Sequence, residues 1–198
     1  TDAQEGIDLA DRLLAENHLS PAAVSGVYSI DLKADETAVH AVAVHFGVPA
    51  RFFTAAALEA EAARLENPSD TVFSEVGCHG VAEGAALAAA GPAGALAVPK
   101  VKSSRATCAI ARAPQPVLPH TCGRSRGMLN VVGIGPGTEE WRSPEVTAMI
   151  AASTDLVGYS LYLDLLEGLA EDKVRHDFKL GKEEARVRHA MELAGAGK

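Results

Sequence analysis

The sequence predicts an α/β fold made of two domains joined by a linker. Helical and extended patterns alternate between residues 7 and 112, as in folds that layer helices on a sheet. The segment APQPVLPHTCGRSRG, residues 113–127, holds three prolines and two glycines with little periodicity, which indicates a surface linker. The alternation then resumes. Three regions are therefore expected: a small layered α/β domain over 1–112, the proline-rich linker over 113–127, and part of a second α/β domain over 128–198.

In the first domain, helices are predicted where apolar residues recur at helical spacing, and strands where short apolar runs lie between turn signals. The predicted helices cover residues 7–14, 39–46, 54–65 and 80–90, with a short helix restarting at Ser20-Pro21. Gly47 is the stop signal of the second helix, and Thr54 is the N-cap of the third. The predicted strands are Val27–Ile30, Arg51–Phe53, Ala95–Val98 and Ala106–Ala111.

The second domain begins with an apolar strand, Met128–Val132, which leads into the glycine-rich segment VVGIGPGTEEWRSPE of residues 131–145. Ser143-Pro144-Glu145 starts a helix, because a capping hydroxyl, a proline at the first helical position and an early acid occur together. A strand at Asp155–Tyr159 and helices at Leu161–Leu169 and Lys182–Ala194 follow. The first and last of these helices carry apolar faces, formed by Val146, Met149 and Ile150 and by Val187, Met191 and Ala194. This order corresponds to half of a parallel sheet.

Charge and hydropathy exclude several classes of function. The chain has 18 basic and 26 acidic residues, a net charge of −8, which argues against nucleic acid as a partner. Its longest apolar runs are broken by Gly91, Pro92 and Gly94 and stay below the ~20 residues of a membrane span. No charged-then-apolar signal segment opens the chain, so a cytoplasmic location is expected. The chain begins at Thr1 and stops at Lys198 after a helix, so we expect both ends to be cut from a longer protein.

The glycine-rich loop admits two interpretations. Glycines after a strand let a ligand approach the backbone closely, and the N-terminus of the following helix favours negative charge. A dinucleotide fingerprint is excluded because Thr138 stands where its third glycine would be, and the Gly-Lys-Ser/Thr of a P-loop is absent. From spacing alone, a structural turn and a ligand contact both remain open.

A resemblance to a known family favours the ligand contact. The segments VVGIGPGTEEWRSPEVTAMIAASTDLVGYSLYLDLL and HDFKLGKEEARVRHAMELAGAGK resemble the N-terminal end of the tetrapyrrole methylases, most closely the precorrin-3B methyltransferases of cobalamin biosynthesis. The resemblance implies a cleft for S-adenosylmethionine lined by Gly133, Gly135, Pro136 and Gly137, with the substrate near Tyr159 and Tyr162.

The same resemblance implies attack of an electron-rich ring carbon on the sulfonium methyl, coupled to ring contraction, in an intact enzyme that forms a homodimer. The protein would mainly align the reactants and exclude water. The second Gly-Asp-Pro-Gly-type loop of such enzymes does not occur before Lys198. The chain by itself is therefore not expected to methylate.

The first domain carries a separate resemblance. Its segments SIDLKADE, GVPARFF, VGCHGVAEGAAL and AVPKVKSSRATCAIAR resemble the C-terminal domain of the cobalt-precorrin-5A hydrolase family, which also occurs as a small stand-alone protein. Both resemblances belong to one pathway. They imply a precorrin or cobalt-precorrin as the bound tetrapyrrole and other enzymes of cobalamin biosynthesis as partners.

Several polar residues of the first domain are candidate contacts for such a substrate. Lys33 and Glu36 flank a strand end, and Glu83 lies at the start of a helix. A cationic loop between two strands could bind acetate and propionate carboxylates; it holds Lys100, Lys102, Ser103 and Arg105. Each residue could equally be part of a solvated surface, and Glu83 could only decorate the first turn of its helix.

Neither catalytic residues nor a metal site are predicted. Cys78-His79 and His120-x-Cys122 each lack a second ligand pair at zinc-site spacing. The intact protein is therefore expected to be an S-adenosylmethionine-dependent methyltransferase fused to a hydrolase-family accessory domain. Two alternatives for the first domain stay open: a non-catalytic module that binds a corrinoid and hands it over, and a hydrolase that releases acetaldehyde.

Overall fold

The computed structural model describes residues 2–198 and divides into two compact units, Thr1–Ser125 and Arg126–Lys198, called unit 1 and unit 2. Each unit contains both helices and strands, so the predicted α/β class is confirmed. The range of unit 1 includes most of the segment predicted as a linker. Arg124 accounts for this, because its backbone exchanges two 2.8 Å hydrogen bonds with Phe52.

Unit 1 is built from five helices and four strands in its described residues. In chain order they are α1 (Ala3–Glu16), β1 (Val27–Ile30), α2 (Thr37–Phe46), β2 (Ala50–Phe53), α3 (Ala55–Glu59), α4 (Asp70–Val76), α5 (Val81–Ala90), β3 (Ala95–Lys102) and β4 (Thr107–Arg112). The strands predicted for this part of the chain are all present, two of them longer than predicted. The helix restart at Ser20-Pro21 is a single 3-10 turn, Pro21–Ala23.

Local capping explains where several of these helices begin and end. The Thr54 hydroxyl accepts the Ala57 N–H at 3.2 Å and starts α3, as predicted. Gly47 ends α2 in the left-handed conformation at φ 65°, also as predicted. Helix α4 was not predicted, although Ser69 caps its start and Gly77, at φ 78°, ends it.

The predicted helix 54–65 is wrong in its length, since α3 ends at Glu59 and only a 3-10 turn, Ala62–Arg64, follows. The Arg64 guanidinium donates to the carbonyls of Gly91 and Gly94, at 3.2 and 2.6 Å. These bonds to a distant loop hold the chain in a tighter turn than a continued helix would.

Two sheets and two apolar clusters organise unit 1. Strands β1 and β2 pair in parallel, with Ile30 opposite Phe53, and β3 and β4 pair antiparallel with two register shifts. Leu9 and Leu13 of α1 pack with Val98 of β3. The second cluster joins the ends of β1 and α3 to α5; it holds Ile30, Leu58, Cys78 and Ala85. Full burial of a leucine such as Leu58 contributes about 2 kcal/mol.

A close approach between α3 and α5 depends on Gly84. A Cβ atom placed there would lie 3.3 Å from the Leu58 carbonyl oxygen and 3.4 Å from the Leu58 Cβ. The glycine therefore lets α5 pack against the end of α3. This contact positions the polar residues at the N-terminal end of α5.

Unit 2 contains three helices and two strands, which are α6 (Pro144–Ala152), β5 (Asp155–Tyr159), α7 (Ser160–Asp164), β6 (Val174–Phe178) and α8 (Glu183–Gly195). Strands β5 and β6 are parallel, with Asp155 opposite Val174. The predicted helix start at Ser143 is confirmed, because its hydroxyl accepts the Val146 N–H at 3.3 Å. The predicted helix 161–169 is instead α7 followed by a 3-10 turn, Glu167–Ala170. Strand β6 was not predicted.

Two other expectations for unit 2 are corrected. Residues 128–132 do not form the predicted strand; the Met128 N–H bonds to the Lys198 carbonyl at 2.9 Å, and Val131 is 91% exposed. A strand needs a neighbour for its backbone groups, and no strand within residues 2–198 pairs with this segment. The apolar side of α8 is also exposed, at Val187 and Met191, whereas Ile150 of α6 is buried in the core of unit 2.

Candidate functional site

The side chain of Glu83 is the centre of a hydrogen-bonded network in unit 1. It lies in the first turn of α5, is 1% exposed, and accepts four N–H groups at 2.8–3.0 Å. The donors are the backbone N–H groups of Glu66, Asn67 and Lys100 and the side-chain amide of Asn67. Burial raises the pKa of this carboxyl, but the bonds from Lys100 and Asn67 outweigh it, so the pKa lies below its ordinary value.

Glu83 was predicted as a substrate contact or a first-turn acid, and the structure gives it a different position. Its carboxylate oxygens are occupied by donors from two other segments, so it supports the residues around it. Lys100 is the predicted residue that this network places directly. Its ammonium group donates to the Asn67 carbonyl at 2.7 Å and has two further N–H groups.

His79 lies at the other end of the same short segment. Its backbone carbonyl accepts the Ser69 N–H at 2.8 Å, so the segment from Asn67 to Asp70 links Lys100 to His79. Three Cα–Cα steps of about 3.8 Å keep the ends of this segment within about 11 Å of each other. The structure therefore brings together a lysine and a histidine that are 21 positions apart in the sequence.

Glu59, the last residue of α3, holds the His79 ring through its carboxylate. His79 Nδ1 lies 2.9 Å from Glu59 Oε1, and the His79 backbone N–H donates to Oε2 at 2.9 Å. The His79 backbone bond is the main cause that lowers the pKa of the Glu59 carboxyl. This arrangement leaves Nε2 as the ring nitrogen that can bind another group; it lies 3.6 Å from the exposed carboxylate of Asp70. The sequence offered no spacing signal for the Glu59–His79 pair.

Ser103, another predicted contact, belongs to a different cluster. Its hydroxyl, the Ser104 hydroxyl and the Arg105 backbone N–H all donate to Oε1 of Glu5 in α1. The bonds from Ser103, Arg105 and Ser104 lower the pKa of Glu5 to about 2. An open depression of about 370 Å³ lies beside Ser103, and acidic side chains of α1 line much of it. A ligand with several carboxylates would be repelled there.

The remaining predicted contacts of unit 1 lie on the surface. Lys33 pairs with Glu36 at 3.2 Å, in the turn that follows β1. Lys102 is exposed at the end of β3. These three side chains are accessible to a ligand, but none is held as Lys100 is.

In unit 2 the glycines of the loop differ in what they require. Gly135 and Gly137 adopt positive φ values of 67° and 121°, and a Cβ on Gly137 would lie 2.9 Å from the Leu165 side chain. These two glycines are explained by the turn itself. At Gly133 a Cβ would meet no atom within 4 Å, so only this glycine has a Cβ position open to a ligand. Pro136 lies between Gly135 and Gly137 in the same turn.

Tyr159 and Tyr162 lie together at the end of β5 and in α7. Their ring centroids are 5.4 Å apart, with the ring planes at 89°. Tyr162 is exposed, as is Trp141 beyond the glycine loop. The pair therefore presents aromatic surface to solvent within unit 2.

A chain of three polar side chains in unit 2 was not predicted. Asp155 Oδ1 lies 2.9 Å from His176 Nε2, and His176 Nδ1 lies 2.8 Å from His189 Nε2. Hydrogen bonds from His176 and then Thr154 lower the pKa of Asp155. The chain joins β5, β6 and α8, which no spacing along the sequence indicates.

Metal ligands and membrane spans were searched over residues 2–198. No cluster of three or more His, Cys, Asp or Glu side chains there could hold a metal ion. None of the helices described is long and apolar enough to cross a bilayer.

Comparison with known proteins identifies relatives of the first unit. The model of the family described as cobalamin synthesis G C-terminus matches residues 1–111. Protein CobE of Sinorhizobium sp is 53% identical over 111 residues, which are 56% of this chain and 72% of that protein. A crystal structure of CobE, described as a protein of the cobalamin biosynthetic pathway, superposes with a TM-score of 0.54 at 34% identity. The match covers 58% of this chain and 87% of that one.

Two longer relatives share smaller parts. Cobalamin biosynthesis protein CobIJ of Mycobacterium tuberculosis is 41% identical over 80 residues, which are 38% of this chain but only 16% of that protein. A probable cobalt-factor III C(17)-methyltransferase of Salmonella typhimurium is 36% identical over 70 residues, 35% of this chain and 29% of the relative. The chain thus spans a small part of these proteins, and the relatives share the biosynthesis of cobalamin.

Proposed function

Since the chain belongs, through residues 1–111, to the family of cobalamin synthesis G C-terminal domains, we propose that its part in cobalamin biosynthesis is to bind a precorrin-type tetrapyrrole in unit 1 and pass it to a methyltransferase that begins in unit 2. The observation that carries the first step is the placement of Lys100. Its backbone is held by the buried Glu83, and its ammonium group retains two donors at the surface.

Precorrins carry several carboxylates, which ammonium groups bind through charge-assisted hydrogen bonds. Lys33 and Lys102 are exposed cations of the same unit and are proposed as further contacts, with Glu36 aligning Lys33. Glu83 is proposed to support Lys100 and Asn67 without touching the ligand. Ser103 is proposed to shape its loop, because its hydroxyl is bonded to Glu5.

Binding can be measured with the complete 198-residue chain and uroporphyrin III, a stable tetrapyrrole with eight carboxylates, by fluorescence titration. We expect Lys100→Gln to weaken binding about 3- to 10-fold, the usual effect of losing one charge-assisted bond. Lys179→Gln, an exposed lysine of unit 2, is the matched control and should leave binding unchanged. Equal affinities of the wild type and the Lys100 variant would reject this contact, and absence of binding by the wild type would reject the function.

Handover and hydrolysis are distinguished by the fate of the bound tetrapyrrole. Recovery of an unchanged precorrin after incubation with the chain supports handover. Release of acetaldehyde would instead assign a hydrolase activity to unit 1.

For unit 2 we propose that the turn from Gly133 to Gly137 is one side of a site for S-adenosylmethionine, with Tyr159 and Tyr162 toward the tetrapyrrole. The open Cβ position of Gly133 fits a ligand that lies against the backbone. When bound, the cofactor would supply a methyl group on a positively charged sulfur, and the turn would align it and exclude water. The coding sequence beyond Lys198 tests this proposal, because it should continue into a strand followed by a Gly-Asp-Pro-Gly-like loop.

A further inference from the structure

Phe73 and His79 form a stacked pair on unit 1 that neither the sequence nor the comparisons assign a role. Their ring centroids lie 4.4 Å apart with an angle of 24° between the planes. Phe73, in α4, is 44% exposed. Because His79 covers one face of the phenyl ring, the exposed surface of Phe73 includes its opposite face.

The imidazole of this pair is fixed in orientation. Glu59 contacts both Nδ1 and the backbone N–H of His79, so the ring cannot turn without losing a hydrogen bond. Nε2 is left beside Asp70, whose carboxylate is 3.6 Å away and fully exposed. A carboxylate on Nδ1 favours the tautomer and the charge state in which Nε2 also carries a proton when the ring is protonated.

Charged groups reach this surface from four elements. Glu59 comes from α3 and Asp70 from α4, while Glu83 of α5 and Lys100 of β3 hold the segment that leads to Asp70. The Glu83 oxygens are occupied by four donors, and Glu59 is paired with His79. The groups still able to bind an anion are therefore His79 Nε2 and the Lys100 ammonium, at the two ends of one short segment.

We propose that Phe73 and His79 form a binding subsite for a planar tetrapyrrole that bears carboxylates. The macrocycle stacks on the outer face of Phe73, and the protonated His79 donates its Nε2–H to one carboxylate while Lys100 binds another. Asp70 moves away from Nε2 as the ligand enters. This inference rests on the tetrapyrrole binding proposed above and names the residues that hold the ring plane.

The subsite predicts a pH dependence with a definite sign. Histidine side chains ordinarily change charge between pH 5 and 8, whereas the ligand carboxylates stay ionised above pH 6. Affinity should rise as the pH falls from 8 to 6, because more His79 is protonated. Uroporphyrin III titrations of the complete chain at pH 6 and pH 8 measure this change.

Three variants separate the contacts. His79→Gln should weaken binding about 5- to 10-fold at pH 6 and less than about 2-fold at pH 8, which removes the pH dependence. Phe73→Leu, which keeps an apolar side chain but loses the ring, should weaken binding about 3- to 10-fold at both pH values. Asp70→Asn should strengthen binding about 2-fold by removing a competing carboxylate.

His45→Gln is the matched control, because His45 pairs with Asp11 at 2.9 Å and lies against Phe46, but on α2. It should behave as the wild type at both pH values. Tautomer-sensitive ¹⁵N shifts of His79 provide a second readout, in which uroporphyrin should move Nε2 and leave Nδ1 unchanged.

The possible results are distinguishable. Binding by the wild type with no loss in His79→Gln and Phe73→Leu would overturn the subsite and leave the proposed function intact. Failure of the wild type to bind would overturn both.

Discussion

The Oε1 atom of Glu83 accepts the backbone N–H of Lys100 at 2.8 Å, and this bond joins α5 to β3. The other oxygen of the same carboxylate holds the backbone of Glu66 and Asn67. A single buried acid therefore fixes the segment on which Lys100 and His79 converge, so the geometry of the candidate site depends on a residue that the proposed ligand does not touch.

Glu83→Gln should destabilise unit 1. A side-chain amide places an NH₂ group where a carboxylate oxygen now accepts N–H groups, so buried donors lose their acceptor. The expected loss in the free energy of unfolding is about 1–3 kcal/mol, measured by urea denaturation at pH 7. Glu75→Gln, an exposed glutamate of α4, is the control and should change stability by less than about 0.5 kcal/mol. Equal unfolding curves for both variants would refute a structural role for Glu83.

The Glu5 carboxyl should titrate near the pKa of about 2 that its bonds to Ser103, Arg105 and Ser104 produce. Ser103→Ala removes the first of these bonds and should move the pKa toward the ordinary value of 4.5. Because the folded pKa is lowered, the stabilisation by Glu5 is complete above pH 4.5 and is lost as the pH falls toward 2. Carboxyl ¹³C shifts measure the titration. Ser74→Ala, whose hydroxyl bonds within α4, should leave the Glu5 pKa unchanged.

The contact between His176 and His189 should weaken in acid. A hydrogen bond between two ring nitrogens needs one nitrogen without a proton, and double protonation places a hydrogen on both. We expect α8 amides to exchange hydrogen faster at pH 5 than at pH 7, after correction for the intrinsic rate. His189→Gln should remove this pH dependence, because its amide can donate to Nδ1 or accept from it. Persistence of the acid effect in that variant would exclude the histidine pair as its cause.

Gly133 and Gly137 should respond differently to alanine. Gly137→Ala must adopt a φ of 121° and push a methyl group to 2.9 Å from Leu165, so we expect unit 2 to lose about 1–3 kcal/mol. Gly133→Ala meets no atom within 4 Å and should change stability by less than about 0.5 kcal/mol. In the longer protein, the same alanine should reduce S-adenosylmethionine affinity, measured by calorimetry. Unchanged affinity would assign Gly133 to the turn alone.

Much of the fold could be predicted because its signals are local. Strands β1 and β5 occupy the predicted residues, and the caps at Thr54 and Ser143 and the stop at Gly47 act as expected. In each case the groups that interact lie within a few positions of one another. The predicted strand 128–132 is absent for the opposite reason, since strand pairing needs a partner from elsewhere in the chain.

The candidate site was predictable only in part. Lys100 was recognised because a cationic loop between two strands is visible in composition, and the family motif around His79 drew notice as a metal ligand that lacked partners. Phe73 and Glu59 were not recognised, because their meaning depends on a histidine 6 and 20 positions away along the chain.

The sequence by itself determined the α/β class, the periodic helices and their caps, and the resemblance of the first unit to proteins of cobalamin biosynthesis, because these depend on neighbours in the chain. Only the tertiary structure decided that Glu83 supports Lys100, that Glu59 orients His79, and that Gly133 is the loop glycine with an open Cβ position. Each of these depends on distances between segments that folding brings together, and the spacing of residues along a chain does not encode such distances.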